Sequence, residues 1–337
     1  MSEKYQRRLS HTSITTYMTC PRKYYWRNVK RIPFRQTTSL VMGNIMHALL
    51  EQFLNVRLRD NGINKNNYEK TLFIYADKLF EETMSRENVR FGKPEPCYQT
   101  QLMNVCENED EYNEIIDECK RELYIYVTDT VRQIDAVMQY TDSLSDAIKA
   151  LAPRKAELEL KTDKLVAYID AVCEIGDNEI VLVDYKTSKN KRARFKNNKY
   201  FDGITTMFDK GYVYQLLLYC YLYNKIYGVK PTAIVVRYLR TGKELCVPLQ
   251  VLTDYGYVDY NNVNQQIEDL VNNIYSKTES KNINDYPMNI KNTFELNGIK
   301  FDNPFCTCKL SRFSDKDWCE YAQNCNECIN NGDTNIV

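Results

Sequence analysis

The spacing of apolar residues divides the chain into a helical first half and a strand-rich middle. Apolar residues recur at helical intervals in three long segments, 38–60, 67–87 and 98–150. Pro153 closes this helical half, because a proline cannot continue a helix. The pattern then changes to alternating or continuous apolar residues rich in β-branched side chains, which predicts strands at 154–161, 164–175 and 179–186.

The pattern beyond residue 186 predicts further helices and strands. A helix is expected at 211–228, ending at Gly228, and another at 254–277. Strands are expected at 232–240 and 244–249. Gly176-Asp177-Asn178 suits a hairpin turn between the second and third strands. This order favours an α/β fold in which a mixed central sheet is flanked by helices.

A single domain of residues 1–337 accommodates all these segments. It would comprise a mainly helical part at 38–150, a sheet core at 151–250 and a loop-rich tail at 285–337.

Composition adds one constraint on the partners of the protein. The 45 basic and 45 acidic residues cancel, so the chain as a whole is not a polyanion binder by charge alone. The charges are nevertheless clustered. Residues 186–199 contain seven basic residues and no acid, and an acidic stretch at 107–118 offsets them. Lys189, Lys191 and Arg192 in the basic segment are candidates for phosphate contacts, the alternative being a solvated loop.

The sequence contains no feature that predicts a membrane or an export route. No run of about 18 apolar residues is present, and the charged N-terminus has no apolar stretch behind it. We therefore expect a cytoplasmic, reducing environment, and a virus-encoded protein would fit it equally well. In such an environment clustered cysteines favour metal binding over disulfides.

The segment YIDAVCEIGDNEIVLVDYKTSK carries the candidate chemistry. Asp184 and Lys186 are two residues apart on a predicted strand, so their side chains share a face. Asp170, on the preceding strand, is expected to approach Asp184, and two carboxylates repel unless a cation lies between them. Hard oxygen ligands suit Mg²⁺ or Mn²⁺, with the Tyr185 carbonyl as a further ligand and Lys186 as the catalytic lysine. The alternative is a surface ion pair at a strand end.

Three further features carry weight only in combination. Gly43-x-x-x-His47 lies on the first long predicted helix, and Gln215-x-x-x-Tyr219 places an amide and a phenol one turn apart. Cys20-Pro21, near the N-terminus, has its counterpart in the cysteines of the tail. Each feature alone is more typical of ordinary packing or of a solvated surface.

Taken together, these motifs resemble those of the PD-(D/E)XK nuclease superfamily, in particular its RecB/AddB-like and CRISPR-associated exonucleases with an iron–sulfur cluster. The resemblance rests on LSHTSITTYMTCPRKYYW, GNIMH, AYIDAV, VDYKTSK and QLLLY, in the order of that family, over residues 9–328. It implies a restriction-endonuclease-like fold. One departure is Tyr168, which stands two residues before the motif aspartate, where a small residue is common.

The resemblance also implies roles for individual residues. His47, Asp170 and Asp184 would bind the metal with the Tyr185 carbonyl, and Lys186 would be catalytic. Gln215 and Tyr219 would shape the DNA-facing side of the site. Further acidic candidates are Glu51, Glu157 and Glu159.

The cysteines form two groups. Six are scattered, which is typical of packing, whereas Cys20 and five tail cysteines form a pool for one four-ligand site. The resemblance implies a 4Fe–4S cluster that joins the two ends of the chain, and four thiolates also suit Zn²⁺. The expected ligands are Cys20, Cys308, Cys319 and Cys325, with Cys306 and Cys328 as alternates because Lys316 occupies the position of one expected cysteine.

The function expected from this set is a Mg²⁺- or Mn²⁺-dependent DNA exonuclease. It would process single-stranded ends in recombination, repair, replication or CRISPR spacer handling, with a helicase or recombination protein as a partner. One alternative is a catalytically silent DNA-binding or scaffolding subunit of a helicase–nuclease complex. Another is a zinc-stabilised interaction protein.

Overall fold

The computed structural model describes most of the chain and allows the predicted elements to be compared with the observed ones. The described residues are 7–33, 36–54, 63–90, 93–175, 179–187, 212–249, 260–287, 293–296, 299–302, 321 and 324–325. The helices are α1 (His11–Thr19), α2 (Pro21–Tyr24), α3 (Thr38–Gln52), α4 (Tyr68–Ser85), α5 (Tyr98–Met103), α6 (Glu109–Met138), α7 (Leu144–Leu151), α8 (Tyr212–Tyr227) and α9 (Tyr260–Ser280). The strands are β1 (Asn88–Arg90), β2 (Lys93–Glu95), β3 (Lys155–Lys161), β4 (Val166–Ile175), β5 (Glu179–Lys186), β6 (Ala233–Tyr238), β7 (Lys243–Pro248), β8 (Thr293–Leu296) and β9 (Ile299–Asp302).

The central sheet has five strands in the order β3-β4-β5-β6-β7. Only β5 and β6 run parallel, and α8 lies between them in sequence, as a parallel connection requires. The other neighbours are antiparallel. The predicted mixed sheet flanked by helices is therefore confirmed. The hairpin turn predicted at 176–178 lies outside the described residues, but β4 and β5 on either side of it do pair antiparallel.

Two hydrophobic cores hold the sheet, one on each face. The first core contains residues of α1, α8 and α9 packed on the sheet. The second core is formed mainly by the predicted helical part, with residues of α3, α4, α6 and α7. The sheet thus forms the middle layer of three, and both of its faces are covered.

The long helical segment predicted at 98–150 is three helices. Asn108 begins α6, and its side-chain oxygen accepts a hydrogen bond from the Glu111 amide at 2.8 Å. The predicted segment ran through this cap because the apolar spacing continues across the break. Two short hairpins, β1–β2 and β8–β9, are present where the sequence pattern predicts no strands. Among the described residues, no helix is long and apolar enough to cross a membrane.

Candidate active site

The central hairpin opens into a fork at the two motif aspartates. β4 and β5 pair up to Ala171 and Val183. Beyond that point β4 pairs only with β3 and β5 only with β6. Asp170 and Asp184 are the next residues, so each carboxylate stands where the two strands separate. The fork explains how two buried acids, 8% and 2% exposed, come close to each other.

Helix α3 places His47 against one side of this fork. Its Nδ1 lies 3.1 Å from Asp170 Oδ1 and 3.7 Å from Glu157 Oε1. The possible ligand atoms of His47, Glu157 and Asp170 all lie within 4.8 Å of one another. Burial disfavours the imidazolium, but the two carboxylates outweigh it and raise the pKa of His47 to about 10. The second oxygen of Asp170 accepts a 2.6 Å hydrogen bond from the Tyr185 amide, which fixes the carboxylate between the strands.

Glu157 reaches the site because β3 and β4 bend together. Leu158 and Ile169, opposite each other in the register, face the first core. The next paired residues beyond Glu157 and Asp170 are Ala156 and Ala171, and they face the second core. Strict alternation would have placed all four on one face. The change occurs at Glu157, whose φ of 46° lies in the left-handed region that an L-residue rarely adopts, a conformation that often marks a functional site.

Asp184 and Lys186 form the other side of the fork. Lys186 Nζ lies 2.7 Å from Asp184 Oδ2 and donates to Gln215 Oε1 at 3.2 Å. Gln215 in turn donates to Asp184 Oδ1 at 3.0 Å and to the Tyr219 hydroxyl at 2.6 Å. Burial raises the pKa of Asp184, and the Asp170 carboxylate adds to this rise while Lys186 opposes it. The predicted motif pair of α8 therefore lies in direct contact with the Asp-x-Lys strand.

His11 is a site neighbour that the sequence analysis did not identify. It is the first residue of α1, and its ring meets Tyr219 edge to face with centroids 6.2 Å apart. Burial and the nearby Lys186 lower the pKa of His11 to about 3, so the ring is neutral at physiological pH. A single histidine before a Thr-Ser sequence gives no signal of this placement, since only the fold brings α1 to α8.

Tyr185 is the residue of β5 whose carbonyl is predicted to bind the metal. Its side chain points into the second core, where its hydroxyl lies 3.3 Å from that of Tyr126. The carbonyl proposed as a metal ligand belongs to the same residue, at the open end of β5, and its role stays a prediction. The side-chain contact shows why an aromatic residue is useful between Asp184 and Lys186, because it anchors the strand from behind.

The other predicted site residues are only partly described. Cys20 and Cys325 are buried, at 5% and 2% exposure. Cys308, Cys319 and the alternates Cys306 and Cys328 lie outside the described residues. The same is true of Lys189, Lys191 and Arg192. Of the further acidic candidates, Glu157 contacts His47. Glu51 is exposed, and its pKa is raised by partial burial and by the nearby Glu157 carboxylate.

The donors of the fork fit a divalent cation. We call His47, Glu157, Asp170, Asp184 and Lys186 the fork cluster. Three carboxylates and one imidazole supply the oxygen and nitrogen atoms that Mg²⁺ or Mn²⁺ accepts. His47, Glu157 and Asp170 form the tightest ligand group, while Asp184 is also bonded to Lys186 and Gln215. The three carboxylates outnumber Lys186 and the protonated His47, which leaves negative charge for a cation to neutralise.

Two aspartates and a lysine at a hairpin fork, on a mixed sheet between two helical layers, define a metal-dependent nuclease site of the restriction-endonuclease-like class. The family profile of the PD-(D/E)XK nuclease superfamily matches residues 8–326, which is nearly the whole chain. The chain therefore belongs to the PD-(D/E)XK nuclease superfamily. Nucleases of this superfamily use divalent metals, and membership implies a DNA substrate. No protein with a curated function matches the chain in sequence.

Proposed function

We propose that the protein is a Mg²⁺- or Mn²⁺-dependent exonuclease that degrades single-stranded DNA from an end. The observation that carries the proposal is the fork cluster, in which three carboxylates, a histidine and a lysine converge where β4 and β5 separate. Such a set suits hydrolysis of a phosphodiester. A bound divalent metal supplies charge neutralisation and lowers the pKa of a water molecule.

The residues of the chain have distinct tasks in this proposal. His47, Glu157 and Asp170 hold the metal together with Asp184. Lys186 places a positive charge beside the attacked phosphate and stabilises the negative charge that develops there. Gln215 holds the lysine and the Asp184 carboxylate in register, with its two ends bonded to one each. The Tyr219 hydroxyl accepts a second hydrogen bond from the Gln215 amide nitrogen and so fixes the orientation of this side chain.

A direct test measures DNA digestion with 5′- and 3′-labelled linear and circular substrates, each single- or double-stranded. We expect shortening of linear single strands with Mg²⁺ or Mn²⁺ and none with chelator. Circular single strands should resist, because they offer no end. Cutting of circles would overturn the exonuclease mode. DNA binding without turnover under any of these metals would favour the silent scaffolding subunit instead.

Paired variants test the residue roles. Asp184→Ala and Lys186→Ala should each abolish digestion while the protein stays folded. The chain offers a matched control pair in Asp146 and Lys149, which form a similar contact at 3.6 Å on the exposed face of α7. Asp146→Ala and Lys149→Ala should leave digestion unchanged. Undiminished activity in both fork variants would refute the assignment.

We also propose that Cys20 and Cys325, with two of the other tail cysteines, hold a 4Fe–4S cluster. The described part of the tail lies beside the N-terminal segment, since the Tyr321 hydroxyl donates to the Ile32 carbonyl at 3.3 Å. Tyr321 also accepts from the Cys325 amide, which ties that cysteine to the same place. A thiolate cluster there would join the two ends of the chain.

Metal analysis of anaerobically purified protein distinguishes an iron–sulfur cluster from a zinc site. Brown protein with iron and sulfide supports the cluster, and colourless protein with zinc refutes it. Cys20→Ala should lose the metal, whereas Cys97→Ala, at the start of α5, should keep it. A helicase or recombination protein as partner remains part of the proposal, and co-purification from the native source tests it.

A further inference from the structure

Tyr168 is an exposed residue of β4 that lies beside the fork cluster. Leu158, Leu160, Ala167 and Ile169 of β3 and β4 face the first core. Because side chains alternate along a strand, Tyr168, between Ala167 and Ile169, points to the opposite face, the side on which His47 of α3 contacts Asp170. Two residues of strand separate the Cα atoms of Tyr168 and Asp170 by about 7 Å. The Tyr168 ring is therefore a near neighbour of the ligand group and shares its face of the sheet.

The ring of Tyr168 is both exposed and held in place. Its exposed fraction is 47%, while most aromatic residues of the central sheet are buried. The hydroxyl donates to Glu159 Oε1, at the paired position on β3, at 3.1 Å. A phenol that is anchored at its polar end has few orientations to lose when a flat group binds against its face.

The charged side chains next to Tyr168 include a lysine as well as a carboxylate. Glu159 accepts the phenol hydrogen bond, and Lys161 Nζ lies 3.6 Å from the same Oε1 atom. Lys161 is two residues further along the same face of β3, and its side chain is 49% exposed. The strip that leads away from the fork thus passes from carboxylates, through a tyrosine, to a lysine.

We propose that Tyr168 is the platform on which the base next to the cleaved phosphate stacks. The proposal rests on the proposed nuclease function and identifies the substrate feature that the site recognises, an unpaired base. A paired base would present its flat face to its neighbours in the duplex, so this contact favours single-stranded DNA. Stacking on an aromatic ring tolerates all four bases, so the contact would select strandedness rather than sequence.

The first test uses Tyr168→Leu, which removes the ring from an exposed position. We expect the KM for linear single strands to rise about 5- to 100-fold, the range set by the loss of one base–aromatic stack, with kcat within about twofold of the original. Tyr168→Phe should retain the low KM, because the ring remains. Tyr140→Leu is the matched control, since Tyr140 follows α6 and is 89% exposed. An equal KM increase in the Phe and Leu variants would overturn stacking.

The second test removes the base instead of the ring. A single abasic nucleotide is moved through the first positions from the DNA end, and affinity is measured without divalent metal by fluorescence anisotropy. At one position the abasic substrate should bind the original protein about 5- to 100-fold more weakly. It should bind Tyr168→Leu no more weakly than the intact strand does, because the stack is already lost. Equal penalties in both proteins at every position would refute the platform.

These tests fail separately from the proposed function. A wild-type protein that binds strands but cleaves none with any metal refutes the nuclease, while the abasic comparison still reports on Tyr168. If the wild-type protein cleaves DNA, but the losses of affinity caused by Tyr168→Leu and by the abasic nucleotide are additive, only the platform is refuted.

Discussion

Among the residues that the structure describes, two clusters of charged side chains are neutralised in different ways. The fork cluster places three carboxylates against a single lysine and one titratable histidine. A second group, here called the arginine cluster, joins α6 to β6 and β7. Its members are Arg237, Arg240, Glu118, Glu122, Asp129 and Glu244.

Each of the four acids of the arginine cluster contacts one of its two arginines. Arg240 contacts Glu118 and lies 3.0 Å from Glu122. Arg237 lies 3.3 Å from Asp129 and 3.4 Å from Glu244. An arginine keeps its charge at any physiological pH, and burial raises the pKa of Glu122 to about 8, so the acids of this cluster are neutralised by arginine contacts or by protonation and not by an exchangeable cation. The difference teaches that one cluster is built to hold the fold, while the other leaves its charge to be balanced by an exchangeable cation.

The largest expected effect separates activity from stability at the fork. Asp170→Asn should lower metal-dependent cleavage by more than about 100-fold, because loss of even an outer partner of a metal ligand has effects of that order. The unfolding temperature in chelator should change little, because the loss of the contact between Asp170 and His47 is offset by the relief of repulsion between Asp170 and Asp184. Single-turnover cleavage and thermal unfolding measure the two quantities. A variant that loses stability and keeps activity would reverse the comparison.

The opposite result is expected in the arginine cluster. Arg240→Met should lower the free energy of unfolding by about 1–3 kcal/mol, because it removes the partner of the buried Glu122 and leaves Glu118 with Arg121 alone. Cleavage per folded molecule should stay the same. Arg132→Met is the control, since that arginine is 75% exposed and its pair with Asp129 is worth about 0–1 kcal/mol. Equal losses in the two variants would contradict the assignment of a structural role to the buried cluster.

The pH dependence of stability offers a smaller and more specific test. Burial raises the pKa of Glu122 from 4.5 to about 8, although Arg121 opposes the shift. Below pH 4.5 Glu122 is protonated in both the folded and the unfolded protein, and the full stability that goes with its raised pKa is then present. As the pH rises, the unfolded chain ionises first, so stability falls until the pH has passed about 8.

Denaturant unfolding of the original protein and of Glu122→Gln between pH 4.5 and 8 measures this contribution. The free energy of unfolding should fall less steeply with pH in Glu122→Gln. Glu109→Gln, in the exposed first turn of the same helix, should retain the original slope. Parallel slopes in all three proteins would mean that Glu122 titrates alike in the folded and unfolded states.

The smallest effects are expected from two glycines, one beside each cluster. A Cβ on Gly43 would meet Thr187 Oγ1 at 3.7 Å, an ordinary contact, so Gly43→Ala should stabilise α3 by about 0.5–1 kcal/mol and preserve cleavage. Gly242 has a φ of 63°, and its Cβ would lie 2.6 Å from Asp129 Oδ2. Gly242→Ala should therefore destabilise the protein by about 1–2 kcal/mol. The same denaturant titration measures both, and a loss of stability in Gly43→Ala would show closer packing at the fork.

The sequence predicts the active strand and its neighbours well because their pattern is local. Strand β5 has the predicted bounds, and α8 differs from its predicted range by one residue at each end. An uninterrupted apolar run at 180–183, three of its four residues β-branched, followed by Asp-x-Lys identifies both the strand and its functional end. The contacts of Gln215 with Asp184 and Lys186 place the α8 motif at that end, although its role in binding DNA stays a prediction.

The ranking of the acidic residues was not predictable from the sequence. Glu51, Glu157 and Glu159 were equivalent candidates, and the choice depends on a bend that no glycine or proline announces. A glutamate with a φ of 46° gives no sequence signal, yet this conformation turns Glu157 toward His47. Likewise, the proximity of His11 to Tyr219 arises from packing of two helices that are some 200 residues apart in sequence, a long-range contact that local periodicity cannot report.

The contacts of the buried Arg22 make the N-terminal part of the fold depend on residues that are synthesised much later. Its Nε donates to the Tyr286 carbonyl at 2.7 Å, and its backbone amide donates to Pro287, more than 260 residues later. At a synthesis rate of 5–20 residues per second, the interval is about 13 to 50 s. During that time the N-terminal segment emerges from the ribosome without the acceptors on which its burial depends. All residues of the fork cluster are synthesised before these acceptors, so a ribosome-bound chain carries a complete set of site residues well before α2 can make its final contacts. Closure of the chain ends is therefore a late step that joins residues of high sequence separation, the kind of contact that slows folding.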